Sequence, residues 1–126
     1  MLGATLEKEK MTDRIYYTDQ KLLELIKTEF DFVDDKGWFE LYQHKQDKTF
    51  WRLDKWDKYQ TQFFVRLETI DNWESFDDSE FRVELLKKTR GIDLTRKCIW
   101  NNCENLSLRG VVYCEKHAYF EMGLRK

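Results

Sequence analysis

Three cysteines and one of the two histidines in this 126-residue chain stand close together near the C-terminus, in the pattern C-x4-C-x10-C-x2-H. The four residues are Cys98, Cys103, Cys114 and His117, and they include every cysteine of the chain. Thiolate and imidazole groups are ligands that zinc binds with tetrahedral geometry. Because four protein ligands leave no coordination position for water, such a site stabilises structure and does not activate a nucleophile. The pattern therefore predicts one structural zinc ion.

The residues between the four ligands predict the elements that carry them. Asn101-Asn102 favours a tight turn between the first two cysteines, because Asn tolerates the left-handed backbone. Residues 106–113 are typical of a hairpin that turns at Arg109-Gly110. The three-residue spacing of Cys114 and His117 places both on one face of a helical turn. A knuckle, a hairpin and a helix in this order resemble a treble-clef zinc finger common in small bacterial proteins, here over residues 96–121.

Other uses of cysteine fit the pattern less well. Three cysteines cannot all pair in disulfides, and the first residues do not resemble a secretory signal. A catalytic Cys–His pair needs a thiol activated by a base, whereas two further cysteines here stand at ligand spacing beside it. Iron also binds thiolates, but one histidine among the ligands of a short finger favours zinc.

The composition is that of one globular domain, with or without a small appendage. Hydrophobic residues make up 41% of the chain, enough for a core, and charged residues make up 37%. No stretch is long and apolar enough for a membrane span, so we expect a soluble cytoplasmic protein. The absence of proline, with only five glycines, argues against a long disordered linker.

Charge is distributed unevenly along the chain. Residues 1–86 contain 13 Lys and Arg against 20 Asp and Glu, a net charge of −7, and residues 87–126 contain 9 against 4, a net charge of +5. An acidic surface attracts basic partners, and a basic one attracts nucleic acid. The asymmetry has a second interpretation, in which the two parts pack together and neutralise each other.

Two helices are predicted outside the zinc motif. Thr18 or Asp19 can cap a helix whose apolar residues run from Leu22 to Phe30 at helical spacing, and this helix is expected to cover a sheet. A second helix follows Trp73, with acidic residues at its start, basic residues at its end and Gly91 as its stop.

The middle of the chain predicts three strands. Residues 37–43, 49–54 and 61–68 are rich in aromatic and branched side chains and are separated by polar connections. Strands joined by short loops pair with each other, so we expect an antiparallel meander. His44 begins the first loop, where a solvated side chain is expected. The second connection, residues 55–60, is unusual in carrying two large aromatic residues.

Residues 37–53 resemble a second family. Gly37-Trp38-x-x-Leu41-Tyr42, followed by residues 47–53 (DKTFWRL), is similar to the G-W-x-x-L-Y…D-G-x-Y/F-W-x-L pattern of a β-rich family of predicted immunity proteins for bacterial toxins. Such proteins occlude or distort the active site of a toxin, which suits an acidic, aromatic surface. The resemblance implies partner contacts from four residues of this region, namely Asp54, Trp56, Asp57 and Tyr59. Packing in the core or at strand ends is their alternative role.

Catalysis and nucleic-acid binding are two further candidate functions. Treble clefs occur in histidine-containing nucleases, but if His117 binds zinc the C-terminal module keeps no histidine as a general base. The chain also has no phosphate-binding loop, Ser-His-Asp set or H-E-x-x-H motif. Nucleic-acid binding is the stronger rival, because a basic zinc module with Arg109, Lys116, Trp100 and Tyr119 could contact phosphates and stack on bases.

The sequence thus predicts an α+β protein: an antiparallel sheet of about three strands flanked by two helices, with a small C-terminal treble-clef-like zinc module. The expected domains are a flexible tail (1–14), an α+β domain (15–92) and a zinc-binding module (93–126). The expected function is non-catalytic binding of a protein partner, stabilised by structural zinc and without membrane contact. A nucleic-acid-binding or regulatory zinc-finger protein is the alternative.

Overall fold

A computed structural model of the protein describes residues 11–126. Most of the flexible tail predicted for residues 1–14 lies outside the described residues, although Met11 packs against the core. The strands and helices occur in the following order: β1 (Ile15–Tyr17), α1 (Gln20–Glu29), β2 (Phe30–Lys36), β3 (Phe39–His44), β4 (Phe50–Asp54), β5 (Phe63–Leu67), a 3-10 turn (Trp73–Ser75), α2 (Ser79–Arg90), β6 (Ile92–Lys97), β7 (Leu106–Leu108) and α3 (Glu115–Phe120).

The chain divides into two compact units, and the division falls between Phe76 and Asp77. The first unit contains β1 to β5, α1 and the 3-10 turn, and the second contains α2, β6, β7 and α3. The domain boundary predicted between residues 92 and 93 stays a prediction. The α+β class is confirmed.

The sheet of the first unit has five antiparallel strands in the order β1-β5-β4-β3-β2, so the expectation of about three strands is wrong. The three predicted strands are present as β3, β4 and β5. Strand β1 has only three residues, too few for an alternating pattern. Strand β2 follows α1 without a loop, and its sequence FDFVDDK is rich in aspartate, which is uncommon in strands.

Both faces of this sheet carry apolar clusters, because successive strand residues point to opposite faces. On one face, α1 contributes Ile26 to a cluster with Phe30, Trp51, Leu53 and Phe64. The Trp51 and Phe64 rings stack at 4.9 Å with an interplanar angle of 18°. This arrangement confirms that the first helix covers a sheet.

The opposite face is covered by the segment that ends in the 3-10 turn. Leu41 and Leu67 pack there with Trp73. The side chain of Arg52, only 2% exposed, lies on the same face. Its Nη1 donates hydrogen bonds to the carbonyl oxygens of Trp73 (3.2 Å) and Phe76 (2.8 Å). A buried guanidinium therefore fastens this segment to the sheet.

Helix α1 begins as its sequence predicts. Asp19 is the N-cap, and its Oδ1 accepts a hydrogen bond of 2.8 Å from the backbone N–H of Leu22. That bond satisfies one of the backbone donors that a helix start leaves without a partner. The helix ends at Glu29, and Phe30 already has the extended backbone of β2.

His44 differs from its predicted solvated state, since it is only 7% exposed. Its ring meets Phe30 edge-on at 4.8 Å, and its Nδ1 accepts hydrogen bonds from the backbone N–H groups of Gln46 (3.2 Å) and Asp47 (3.3 Å). The side chain thus closes the loop between β3 and β4. A polar loop sequence does not reveal this role, because the imidazole substitutes for a backbone acceptor.

The second unit has its own core. Val83 and Leu86 of α2 pack with Leu108, Ala118 and Tyr119. Helix α2 thus contributes to the core of this unit. Its predicted stop is confirmed: Gly91 has φ +83° and ψ 166°, a conformation that other residues rarely adopt. Across residues 11–126, no helix combines the length and the apolar character that crossing a membrane requires.

Candidate metal centre

The four predicted ligands lie on different elements of the second unit. Cys98 directly follows β6, Cys103 lies in the next loop, Cys114 is the N-cap of α3, and His117 lies within α3. Asn102 between the first two cysteines has φ +65°, which confirms the predicted left-handed turn. The amide N–H of Cys103 donates to the carbonyl of Trp100 at 3.0 Å, closing this turn.

The fold brings the four ligand atoms together. All lie within 4.8 Å of one another. The sulfurs of Cys103 and Cys114 are 3.9 Å apart, and Nδ1 of His117 lies 3.3 Å from the sulfur of Cys114 and 3.5 Å from that of Cys98. These last three distances are close to the edges of a zinc tetrahedron, roughly 3.8 Å between sulfurs and roughly 3.5 Å between sulfur and nitrogen. The cluster is therefore compatible with a zinc site.

Backbone and side-chain N–H donors around the cluster favour thiolates. The N–H of Trp100 lies 3.5 Å from the sulfur of Cys98, and Nδ2 of Asn105 lies 3.9 Å from that of Cys114. Burial raises the pKa of Cys98, but hydrogen bonds from the backbone of Cys114 and Trp100 and from the His117 ring outweigh it and lower the pKa to about 7. Since metals bind the thiolate form, this shift favours coordination at neutral pH.

Cys103 is the most solvent-accessible of the three cysteines, being half-buried where Cys98 and Cys114 are buried. The backbone N–H of Asn105 lowers its pKa, but burial and the neighbouring thiols of Cys98 and Cys114 outweigh this bond and raise the pKa. Two thiols this close compete for the negative charge. A bound cation would stabilise all three cysteines as thiolates.

The imidazole of His117 is held by an aromatic neighbour. The ring of Trp100 stacks on it at 4.8 Å with an interplanar angle of 16°. Tyr113 in turn meets Trp100 edge-on at 6.0 Å. With Nδ1 directed at the sulfurs and one ring face covered, the orientation of His117 suits a metal ligand. Four protein ligands complete a tetrahedron, so the cluster suits a structural role.

The four residues predicted to contact a partner lie at one end of the larger sheet. Trp56 and Tyr59 are 72% and 84% exposed, so core packing does not explain them. Asp57 accepts a hydrogen bond from the N–H of Tyr59 at 2.8 Å, which shapes the loop. Asp54 at the end of β4 accepts one from the N–H of Phe63 at 3.2 Å. Trp56 and Tyr59 are thus exposed to solvent, and the carboxylates of Asp54 and Asp57 have structural roles.

Trp38 belongs with these residues, although the sequence interpretation did not include it as a contact. It lies in the turn between β2 and β3 and is 75% exposed. Its carbonyl accepts a hydrogen bond of 2.8 Å from the N–H of Lys55, so this turn adjoins the connection that carries Trp56 and Tyr59. We call Trp38, Trp56 and Tyr59 the aromatic end. The signal that could have found Trp38 is a tryptophan directly after a turn glycine, where a core role is rare.

Some of the residues predicted to contact nucleic acid are exposed in the structure, and others are buried or partly covered. Arg109 and Lys116 are exposed, but Tyr119 is only 8% exposed and packs in the core of the second unit. The guanidinium of Arg125 covers the Tyr119 ring at 3.9 Å. Trp100 is partly covered by His117. Base stacking on Tyr119 is therefore ruled out.

Comparison with known proteins found no matching protein-family model, no similar curated protein and no similar solved structure. The resemblances to treble-clef fingers and to immunity proteins therefore rest on the residues that carry them.

Proposed function

We propose that the protein is a non-catalytic binding protein that recognises another protein through the aromatic end, and that its second unit is stabilised by zinc. The observation that carries the proposal is the exposure of Trp38, Trp56 and Tyr59 on two adjoining connections. Tryptophan and tyrosine dominate the binding energy of protein interfaces, because they bury a large area with little loss of side-chain freedom.

Zinc is the metal that the donor set favours. Three sulfurs and one nitrogen within 4.8 Å of one another suit zinc better than magnesium or calcium, which prefer oxygen ligands. The order of cysteine turn, strand β7 and helix α3 agrees with the treble-clef resemblance, but β7 pairs with β6 and not within the hairpin predicted for residues 106–113. A thiolate site needs reduced cysteines, so we place the protein in the cytoplasm.

Among protein-binding functions, immunity against a bacterial toxin agrees best with the charge and with the motif. The first unit, residues 1–76, contains 12 Lys and Arg against 16 Asp and Glu, a net charge of −4, and an acidic surface speeds encounter with a basic partner. Trp38 belongs to the motif that resembles immunity proteins, and it is exposed as a contact residue must be. The partner on this proposal is a toxin whose active site the protein occludes.

The test is affinity capture from the native host, with the wild-type chain as bait. We expect one stoichiometric protein partner, and we expect Trp56→Ala and Tyr59→Ala each to weaken its capture at least about tenfold, as hot-spot losses do. Phe120→Ala is the matched control, since Phe120 is a 58% exposed aromatic residue of the second unit.

Three results would contradict the proposal. Capture that survives replacement of all three residues of the aromatic end would remove the proposed surface. Recovery of nucleic acid with an affinity that falls steeply with salt would favour the nucleic-acid alternative, because phosphate contacts release counterions. Hydrolytic activity of the purified protein that is lost with one substitution would refute the non-catalytic role.

A further inference from the structure

Strand β2 is an outer strand of the five-stranded sheet and is exposed along most of its length. Among the strands that residues 11–126 form, the order leaves β2 with one neighbour, β3, and its other edge faces away from the sheet. Phe30 is buried, and the six residues that follow are exposed. Phe32 and Val33 remain 58% and 44% exposed, although both are apolar.

The pairing with β3 shows which backbone groups face the free edge. The N–H of Lys45 donates to the carbonyl of Glu29 at 3.0 Å, and antiparallel strands alternate between residues that bond inward and residues that face outward. By this alternation, Asp31 bonds to β3, and the N–H and C=O of Phe32 face outward. The outer edge thus offers one donor and one acceptor at Phe32.

Beyond Phe32 the edge of β2 is irregular and does not suit further strand pairing. The register shifts between Phe32 and Asp34, which marks a bulge at Val33. The N–H of Asp35 donates to Oδ1 of Asp34 at 2.8 Å. Long strand pairing is therefore blocked, as is usual for edges that must not aggregate. What remains is a short site centred on Phe32, whose ring is held against Tyr42 at 5.7 Å with an interplanar angle of 75°.

The net negative charge of this edge favours one kind of binding segment over others. Residues 29–45 contain five Asp and Glu and two Lys, a net charge of −3. Asp35 stands directly opposite Glu40, a like-charge pair that does not stabilise the sheet. A second copy of the chain would place aspartates against aspartates, which disfavours pairing between two β2 edges. Asp35 already pairs with Lys55 at 3.3 Å and Asp31 with Lys45 at 3.9 Å, and the net negative charge that remains favours a segment that carries lysine or arginine.

We propose that β2 binds an extended, Lys- and Arg-rich segment of the protein partner, with backbone pairing at Phe32 and cationic side chains on Asp31, Asp34 and Asp35. The inference rests on the proposed function and specifies the chemistry of the partner. Strand β2 runs into the turn that holds Trp38, so the segment continues toward the aromatic end. Backbone pairing provides affinity, and the alternating side chains provide selectivity.

The probe is a fluorescent octapeptide of alternating valine and lysine, titrated into the full chain at low and at physiological salt. Two comparison peptides are alternating valine and glutamate, and the Val-Lys peptide N-methylated on alternate residues so that it cannot pair as a strand. We expect saturable binding of the Val-Lys peptide alone, with amide chemical-shift changes centred on residues 30–36.

Two sets of variants separate backbone pairing from charge. Phe32→Pro removes the outward N–H, which edge strands tolerate, and should weaken binding more than Phe32→Ala, which keeps that donor. The triple change Asp31→Lys, Asp34→Lys and Asp35→Lys should weaken binding at least about tenfold at low salt. The control triple Glu80→Lys, Glu84→Lys and Glu121→Lys changes the net charge equally at exposed positions of the second unit and should bind as wild type.

The outcomes distinguish the two proposals. No saturable binding of the Val-Lys peptide, equal binding by its N-methylated form, or equal losses in the two triple variants would overturn the inference about β2. If partner capture then still depends on Trp56 and Tyr59, the proposed function stands without it. If neither surface affects capture, both proposals fail.

Discussion

Cys114 and His117 stand three residues apart, but the cluster they belong to depends on one other segment of chain. Cys114 is the N-cap of α3, so its sulfur lies at the start of the helix on which His117 is one turn away. Cys98 and Cys103 come from the turn that follows β6. The spacing of the four residues predicted this cluster from sequence, because short intervals between ligands leave little freedom for any other arrangement.

Replacement of one ligand is the direct test of the metal at the residue scale. Wild-type protein should contain about one zinc per chain, and Cys114→Ser should contain clearly less, since serine is a poor zinc ligand. Metal analysis after gel filtration measures both. Glu104→Gln is the matched control, because Glu104 is an exposed acidic residue beside Cys103, outside the cluster. Equal zinc in Cys114→Ser and wild type would contradict the assignment.

The sequence revealed less about residues whose role is set by distant neighbours. Arg52 looks like an exposed strand residue, yet it is buried and bonded to carbonyls 21 and 24 positions away. His44 looks like a loop residue, yet it accepts two backbone hydrogen bonds. Neither role leaves a local pattern, because the partners are main-chain groups that every residue possesses.

At the scale of elements, the three central strands followed from their aromatic and branched residues and from the polar connections between them, and the outer strands did not. In sequence, β2 resembles the end of a helix followed by an acidic turn. Its exposed aspartates are untypical of strands, so the sequence does not indicate the pairing with β3. The alternating pattern was also interrupted by the bulge at Val33. Edge strands are the elements for which tertiary pairing overrides local propensity most often.

The attachment of the 3-10 turn to the sheet gives a prediction at this scale. Arg52→Met should lower the free energy of unfolding by about 2–4 kcal/mol, because two carbonyl oxygens lose a charged donor inside the core. Arg66→Met is the control: Arg66 is half-buried on the neighbouring strand β5, and its loss should cost less than about 1 kcal/mol.

Urea denaturation followed by tryptophan fluorescence measures both variants. Trp73 lies in the segment that Arg52 holds, so the emission should also change in the folded baseline of Arg52→Met. Equal stability of Arg52→Met and wild type would show that packing alone holds the segment.

For the whole molecule, the two units have separate cores. Ile26, Trp51 and Phe64 belong to the first, and Leu86 and Leu108 to the second. Small metal-bound modules fold with their metal, since the site provides much of their folding free energy. Loss of zinc is therefore expected to affect the two units unequally.

Chelation followed by amide hydrogen exchange should show this difference. After treatment with a strong chelator, amides of residues 92–120 should exchange much faster, and amides of β3, β4 and β5 should keep their protection. Re-addition of zinc should restore the original pattern. The same chelation applied to Cys114→Ser, which has already lost the site, should produce little further change. Uniform loss of protection in both units would contradict the prediction.

The stacking of Trp100 on His117 makes its fluorescence a probe of the cluster. Of the five tryptophans, it is the one that lies between Asp77 and Lys126, and its indole stacks on a candidate metal ligand. Its excited state therefore senses the charge of the imidazole beside it. A chain in which the other four tryptophans are replaced by phenylalanine would report metal occupancy by emission intensity, in real time and without an added dye.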